Sequence, residues 1–133
     1  MKVVFDTNTV ISALLFSKGQ LSWLRPYWRM SKVTALSSKA TVDELIRVLA
    51  YQKFQLEADE IETLLADFIP YCTVIKVVAR KNNPRCRDPD DQIFIDLVIS
   101  GNADILVTGD KALLAMRLPC EVITPRAFRE RSI

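Results

Sequence analysis

Short apolar runs, only long enough to be buried strands, alternate along this chain with longer stretches of helical spacing. Lys2 to Phe5, Val33 to Leu36, Thr73 to Val78, Ile105 to Val107 and, more weakly, Glu121 to Ile123 are the strand candidates. Helical patterns fill the intervals. Val10, Ile11, Ala13, Leu14 and Leu15 follow Thr7-Asn8-Thr9, with Asn8 or Thr9 as cap and Gly19 as the stop. Leu21 to Met30 reads as a second helix, interrupted or bent by Pro26. Ser37 or Ser38 caps a third, which runs to about Tyr51 on a core stripe of Val42, Leu45, Ile46 and Leu49. Glu57 to Phe68 is a fourth, stopped by Pro70. Asp88 caps a fifth, with Pro89 in its first turn and Gly101 at its end. A short helix follows around Lys111 to Met116, and Pro125 opens a last one. Strands that alternate with helices in this way form a parallel sheet, covered on both faces and joined by right-handed crossovers. The expected architecture is therefore α/β, in one domain spanning 1–133.

Composition narrows the chemistry more than the fold. The chain has no histidine. That excludes His-based triads, His general bases and the usual zinc hydrolase sites. Its three cysteines, Cys72, Cys86 and Cys120, are widely spaced and suggest neither a disulfide framework nor a zinc site. Hydrolysis on such a chain has to run on carboxylates, hydroxyls, Lys/Arg or a metal. A net charge of +2 favours nucleic acid only where the basic residues cluster. No apolar run reaches the roughly 18 residues of a membrane span. The N-terminus turns acidic at Asp6, too early for a signal peptide, so a cytoplasmic protein is expected.

Each acid has a local explanation. Asp6 can cap the helix that follows it. Thr41-Val42-Asp43-Glu44 fits a capping box. Asp88, Asp90 and Asp91 suit the positive end of their helix, and Asp110 can cap the next one. Asp43, Asp96 and Asp104 read as ordinary surface acids. Taken together the pattern is harder to explain locally. Asp6 and Asp110 end apolar strands, whose C-terminal ends share one edge of a parallel sheet. Asp91 and Glu44 lie in the first turns of helices that begin at that edge. Glu44 also lies nearly opposite its helix's core stripe, at about 100° per residue. Four carboxylates would converge there, raising one another's pKa values until a cation relieves them. Oxygen-only ligands select a hard ion, Mg²⁺ or Mn²⁺.

Two other features bear on function. Arg80 to Arg87 is a loop carrying Arg80, Lys81, Arg85 and Arg87 into the acidic edge, and these four are candidate phosphate contacts. Trp23, Tyr27 and Trp28 form either core or an apolar surface for a partner. The arginines at 126, 129 and 131 read as a solvated helix face.

Val3-Val-Phe-Asp6-Thr-Asn8, Glu44-Leu45, Asp90-Asp91 before Ile93-Phe94, and Leu106-Val-Thr108-Gly-Asp110 together resemble the PIN-domain nucleases. The resemblance extends to the VapC-like toxin components of bacterial toxin–antitoxin pairs and covers essentially the whole chain. It implies a three-layer α/β/α sandwich with a mainly parallel sheet of about five strands. The activity implied is Mg²⁺- or Mn²⁺-dependent endoribonuclease, neutralised by an antitoxin protein and commonly dimeric. Asp6, Glu44, Asp91 and Asp110 match the family's four acids, as catalytic residues and metal ligands. Asn8 and Thr108 match the polar residues that flank them. Asp90 is the alternative to Asp91, and Asp43 to Glu44, if the helices start one residue differently. Three rivals stand beside this reading. A haloacid-dehalogenase-type phosphatase needs an acid where Asn8 stands. A receiver domain needs a lysine where Pro125 and Arg126 stand. The third is a PIN-like domain that binds RNA or a protein without cutting.

Overall fold

A computed structural model describes residues 1–16 and 18–132. Its sheet is five-stranded and parallel throughout, in the order β3-β2-β1-β4-β5. The strands are β1 (Lys2–Phe5), β2 (Thr34–Ser37), β3 (Cys72–Val74), β4 (Ile105–Val107) and β5 (Glu121–Ile123). Around them run α1 (Thr7–Leu15), α2 (Leu24–Arg29), α3 (Lys39–Leu49), α4 (Ala58–Leu65), α5 (Gln92–Gly101), α6 (Lys111–Leu114) and α7 (Pro125–Ser132).

Side-chain alternation along the central strands builds two cores. Val3, Phe5, Ile105 and Val107 face one, with α1, α2, α3 and Phe128 of α7 packed on them. Val4, Leu36 and Leu106 face the other, beneath α5 and Leu113 of α6. Because β1 and β4 are covered on both faces, Val3, Val4, Leu106 and Val107 are all fully buried. That is why they read as continuous apolar runs. The result is the three-layer sandwich, and it sets the C-terminal ends of β1 and β4 side by side.

Several elements depart from the sequence reading. β3 stops at Val74 because its partner β2 stops at Ser37. The next residues leave the sheet for α5, where the Val78 N–H donates to Ser100 Oγ at 3.1 Å. Pro26 falls in the first turn of α2 and bends nothing, since an N–H there has no intrahelical partner. Ser38 and Thr41 form the capping box of α3, not Thr41 and Glu44. Helix α4 runs only from Ala58 to Leu65, shorter than Glu57 to Phe68, and Glu57 and Glu60 cap it. Gly101 is the last residue of α5, and the left-handed cap falls on Asn102, at φ 49° and ψ 49°. Of the aromatic residues near α2, Trp28 belongs to the core, and Trp23 and Tyr27 are half-buried against it. Trp28 is buried, donates from Nε1 to the Asp67 carbonyl and meets Phe68 edge-on at 4.8 Å. Trp23 and Tyr27 pack around Phe128. Among the described residues, no helix is long and apolar enough to cross a membrane.

Candidate metal centre

The centre grows from the pairing of β1 with β4. The Asp6 N–H donates to the Val107 carbonyl at 3.1 Å, so Asp6 is held where the two strands end. Its side chain is buried and caps α1, Oδ1 accepting from the Thr9 N–H at 2.9 Å. The Thr108 hydroxyl donates to Asp6 Oδ2 at 2.5 Å and accepts from the Asp110 N–H at 3.0 Å. Thr108 itself is fully buried and tied to β5 through the Ile123 carbonyl. One hydroxyl thus fixes both the acid of β1 and the backbone of the acid after β4. Asp110 then caps α6, Oδ1 accepting from the Ala112 N–H at 2.8 Å.

Asp91 approaches from the third direction. Asp88 caps the turn Pro89–Asp91, accepting from the Asp90 N–H at 3.0 Å, and Asp91 opens α5. Burial raises the Asp91 carboxyl to about 7, with further upward pushes from a hydrogen-bonding contact and charge at Asp110, then from the charges of Asp88 and Asp6. Among the described residues, Asp91 Oδ2 is buried without a hydrogen-bond partner, as is the Thr7 hydroxyl in the first turn of α1. Buried acceptors without partners are costly unless something positive meets them.

The other predicted residues are placed less centrally. Glu44 is half-buried on α3, where its Oε1 pairs with Arg47 one turn on. It is not among the groups that press on Asp91. Asp43 is exposed and paired with Lys39 at 2.8 Å. Asp90 and Asn8 are exposed. Asp6 and Asp110 are therefore the predicted acids that act on Asp91, while Glu44 is engaged with Arg47.

These residues fit a hard cation by their chemistry: carboxylates and threonine hydroxyls, an unpartnered carboxylate oxygen, and burial with neighbouring charge that raises Asp91. Among the described residues, however, no three acids close at ligand geometry around one point.

The basic loop is clasped to the polar edge of α5. Asn83 Nδ2 donates to Asp96 Oδ1 at 3.0 Å, and the Cys86 N–H to Gln92 Oε1 at 2.9 Å. Gln92 Nε2 donates to the Pro84 carbonyl at 2.9 Å and to Asp96 Oδ1 at 3.1 Å. Asp96 is thus no surface acid: it is 8% exposed and is the anchor of this clasp. Sequence reasoning missed Asn83, Gln92 and Asp96 as positioning residues. The available signal was an acid and an amide four residues apart on an otherwise apolar helix. Asp104, read as a surface acid, is exposed and accepts from the Lys2 N–H at 2.8 Å.

Comparison with known proteins adds three findings. A family model described as PIN domain matches residues 2–112, a span that includes all four predicted acids. An uncharacterized protein of Methanocaldococcus jannaschii is 29% identical over 143 residues, covering 98% of this chain and 90% of its own length. A chain from the crystal structure of VapBC2 from Rickettsia felis, bound to a DNA fragment from their promoter, matches with a TM-score of 0.65. That match covers 93% of this chain and 98% of the other at 17% identity, a likeness of fold.

Proposed function

The chain belongs to the PIN domain family, a family of nucleases, and from that premise we propose that it is an endoribonuclease dependent on Mg²⁺ or Mn²⁺. The observation that carries this reading is the orphaned Asp91 Oδ2, buried beside Asp110 and Asp6 at the sheet edge. Asp6, Asp91 and Asp110 hold the ion, and Glu44 joins them when it leaves Arg47. Thr108 is a positioning residue, since its hydroxyl sets Asp6 Oδ2 and the Asp110 backbone at once. Asn8 and Asp90, both exposed at the rim, orient water or substrate. A cation bound here supplies acidity for an attacking water and offsets charge on the phosphoryl oxygens. Water would attack the scissile phosphorus and the 3′-oxygen would leave, so that, as the family resemblance implies, the products are a 5′-phosphate and a 3′-hydroxyl.

In this reading the protein is the toxin of a type II toxin–antitoxin pair, acts in the cytoplasm, forms a homodimer or higher homo-oligomer and is neutralised by a cognate antitoxin protein. Likeness of fold to a chain of VapBC2 supports it. A small antitoxin reading frame beside this one is the expected genomic finding.

A second reading has one observation in its favour. Glu44 pairs with Arg47, so the fourth acid is engaged, as suits a PIN-like domain that binds RNA or a protein without cutting. Incubation of single-stranded RNA at low salt with Mg²⁺ or Mn²⁺, beside an Asp6→Asn control, separates the two. The nuclease reading expects cleavage that the control lacks. Equal RNA survival in both samples sinks it.

A further inference from the structure

We propose that a cleft between the basic loop and α6 is a phosphate subsite, in which Arg85, Arg87 and Lys111 hold one phosphodiester of the RNA strand beside the acids. This rests on the ribonuclease reading and deepens it. The cleft has a volume of about 450 Å³ and is lined by these three cations with Ala112, Ala115 and Met116. Among the described residues none of the three is in an ion pair, and Arg85 is engaged by backbone carbonyls alone. Unpaired like charges around one concavity repel, and an anion relieves them. Phosphate suits this set, because guanidinium groups grip two of its oxygens and an ammonium adds a point charge.

The cleft's position makes the anion a neighbour of the cut site. Arg87 directly precedes Asp88, and Lys111 directly follows Asp110. Arg87 thus stands four residues before Asp91, next to the cap of its turn, and Lys111 one residue after Asp110. The loop is also pre-shaped. Arg85 Nη2 donates to the carbonyls of Arg80 and Lys81 at 3.2 and 3.4 Å, and the Asn83–Asp96 and Cys86–Gln92 bonds fasten the segment to α5. Arg80 and Lys81 contribute backbone to this arrangement and their side chains do not line the cleft. The loop thus divides into a part that shapes the subsite and a part that contacts phosphate, with Lys111 as a third contact from outside it.

The test measures binding of a labelled single-stranded RNA by anisotropy, in the Asp6→Asn background with Mg²⁺, across a salt series. Arg87→Gln and Lys111→Gln should each weaken binding and flatten the slope of log affinity against log salt by about 0.7, one phosphate contact on a single strand. Ala115→Glu, which adds a carboxylate to the cleft, should weaken binding without removing any cation. Lys53→Gln, on the turn after α3 and outside the cleft lining, should leave the slope unchanged. Unchanged slopes for Arg87→Gln and Lys111→Gln, with Asp6-dependent cleavage intact in the parent protein, overturn the subsite and leave the nuclease reading standing. A parent that neither cleaves nor binds RNA overturns that reading, and the subsite with it.

Discussion

At the scale of single residues, Asp91 and Asp67 titrate in opposite directions. Asp91 binds its proton more tightly folded than unfolded, since its carboxyl is raised to about 7. Between its ordinary value near 3.8 and about 7 the folded state holds the extra proton, so metal-free stability falls as pH rises through that window. Asp91→Asn removes the effect. Urea unfolding in EDTA should find the variant gaining on the parent at pH 7.5 more than at pH 4.5. The Arg29 and Arg25 guanidinium groups hold the Asp67 carboxyl below its usual range. Its contribution is complete above the ordinary carboxylate value and is lost as pH falls. In the same experiment Asp67→Asn should cost most at neutral pH and least in acid. Thr108→Val leaves Asp6 Oδ2 and the Asp110 N–H without their shared partner, and calorimetry should register a loss of about 1–3 kcal/mol. Asp6 and Asp110 were legible in the sequence because each ends an apolar strand, and a strand end fixes where a side chain emerges. Glu44 was legible as an outward residue, but its pairing with Arg47 depends on side-chain torsions that spacing leaves open.

Elements were legible where one local signal decided them. Asp88-Pro89 announces the start of its helix and does start it, through a single tight turn. Those decided by a neighbour were less so. Nothing within Thr73 to Val78 reveals that β2 ends at Ser37, so that the Ile75 N–H makes the last bond to it, at 2.9 Å. Asn102 takes the left-handed cap beside a glycine that looked like the natural owner of it. Gly101 packs instead, since a Cβ there would come within 2.7 Å of Leu36 Cδ1 and 2.8 Å of Ile75 Cδ1. The loop clasp was illegible for a similar reason. Asp96 is an acid on a helix, and its partner Asn83 arrives from an irregular segment. Asn83→Ala should lower stability by about 1–3 kcal/mol, because Asp96 is then buried with Gln92 as its remaining side-chain donor. Hydrogen exchange should show the amides of residues 83–87 less protected in that variant. Unchanged exchange there would mean that the clasp does not order the loop.

Across the whole molecule, the parallel order β3-β2-β1-β4-β5 gathers acids that are far apart in the chain. Asp6 and Asp110 meet because β1 and β4 are neighbours in register, Val3 opposite Ile105 and Phe5 opposite Val107. Asp91 meets them because α5 starts at that edge before running back to feed β4. This convergence was legible from strand–helix alternation alone, whereas the closeness of Asp91 to Asp110, and the pairing of Glu44 with Arg47, needed the packed structure. The central claim is that these carboxylates share a divalent cation. Titration calorimetry with Mn²⁺ on the parent protein and on the Asp6→Asn, Asp91→Asn, Asp110→Asn triple variant tests it most directly. The parent should bind Mn²⁺ in a saturable site that the triple variant lacks. Saturable binding of equal affinity and stoichiometry in both proteins would contradict the account.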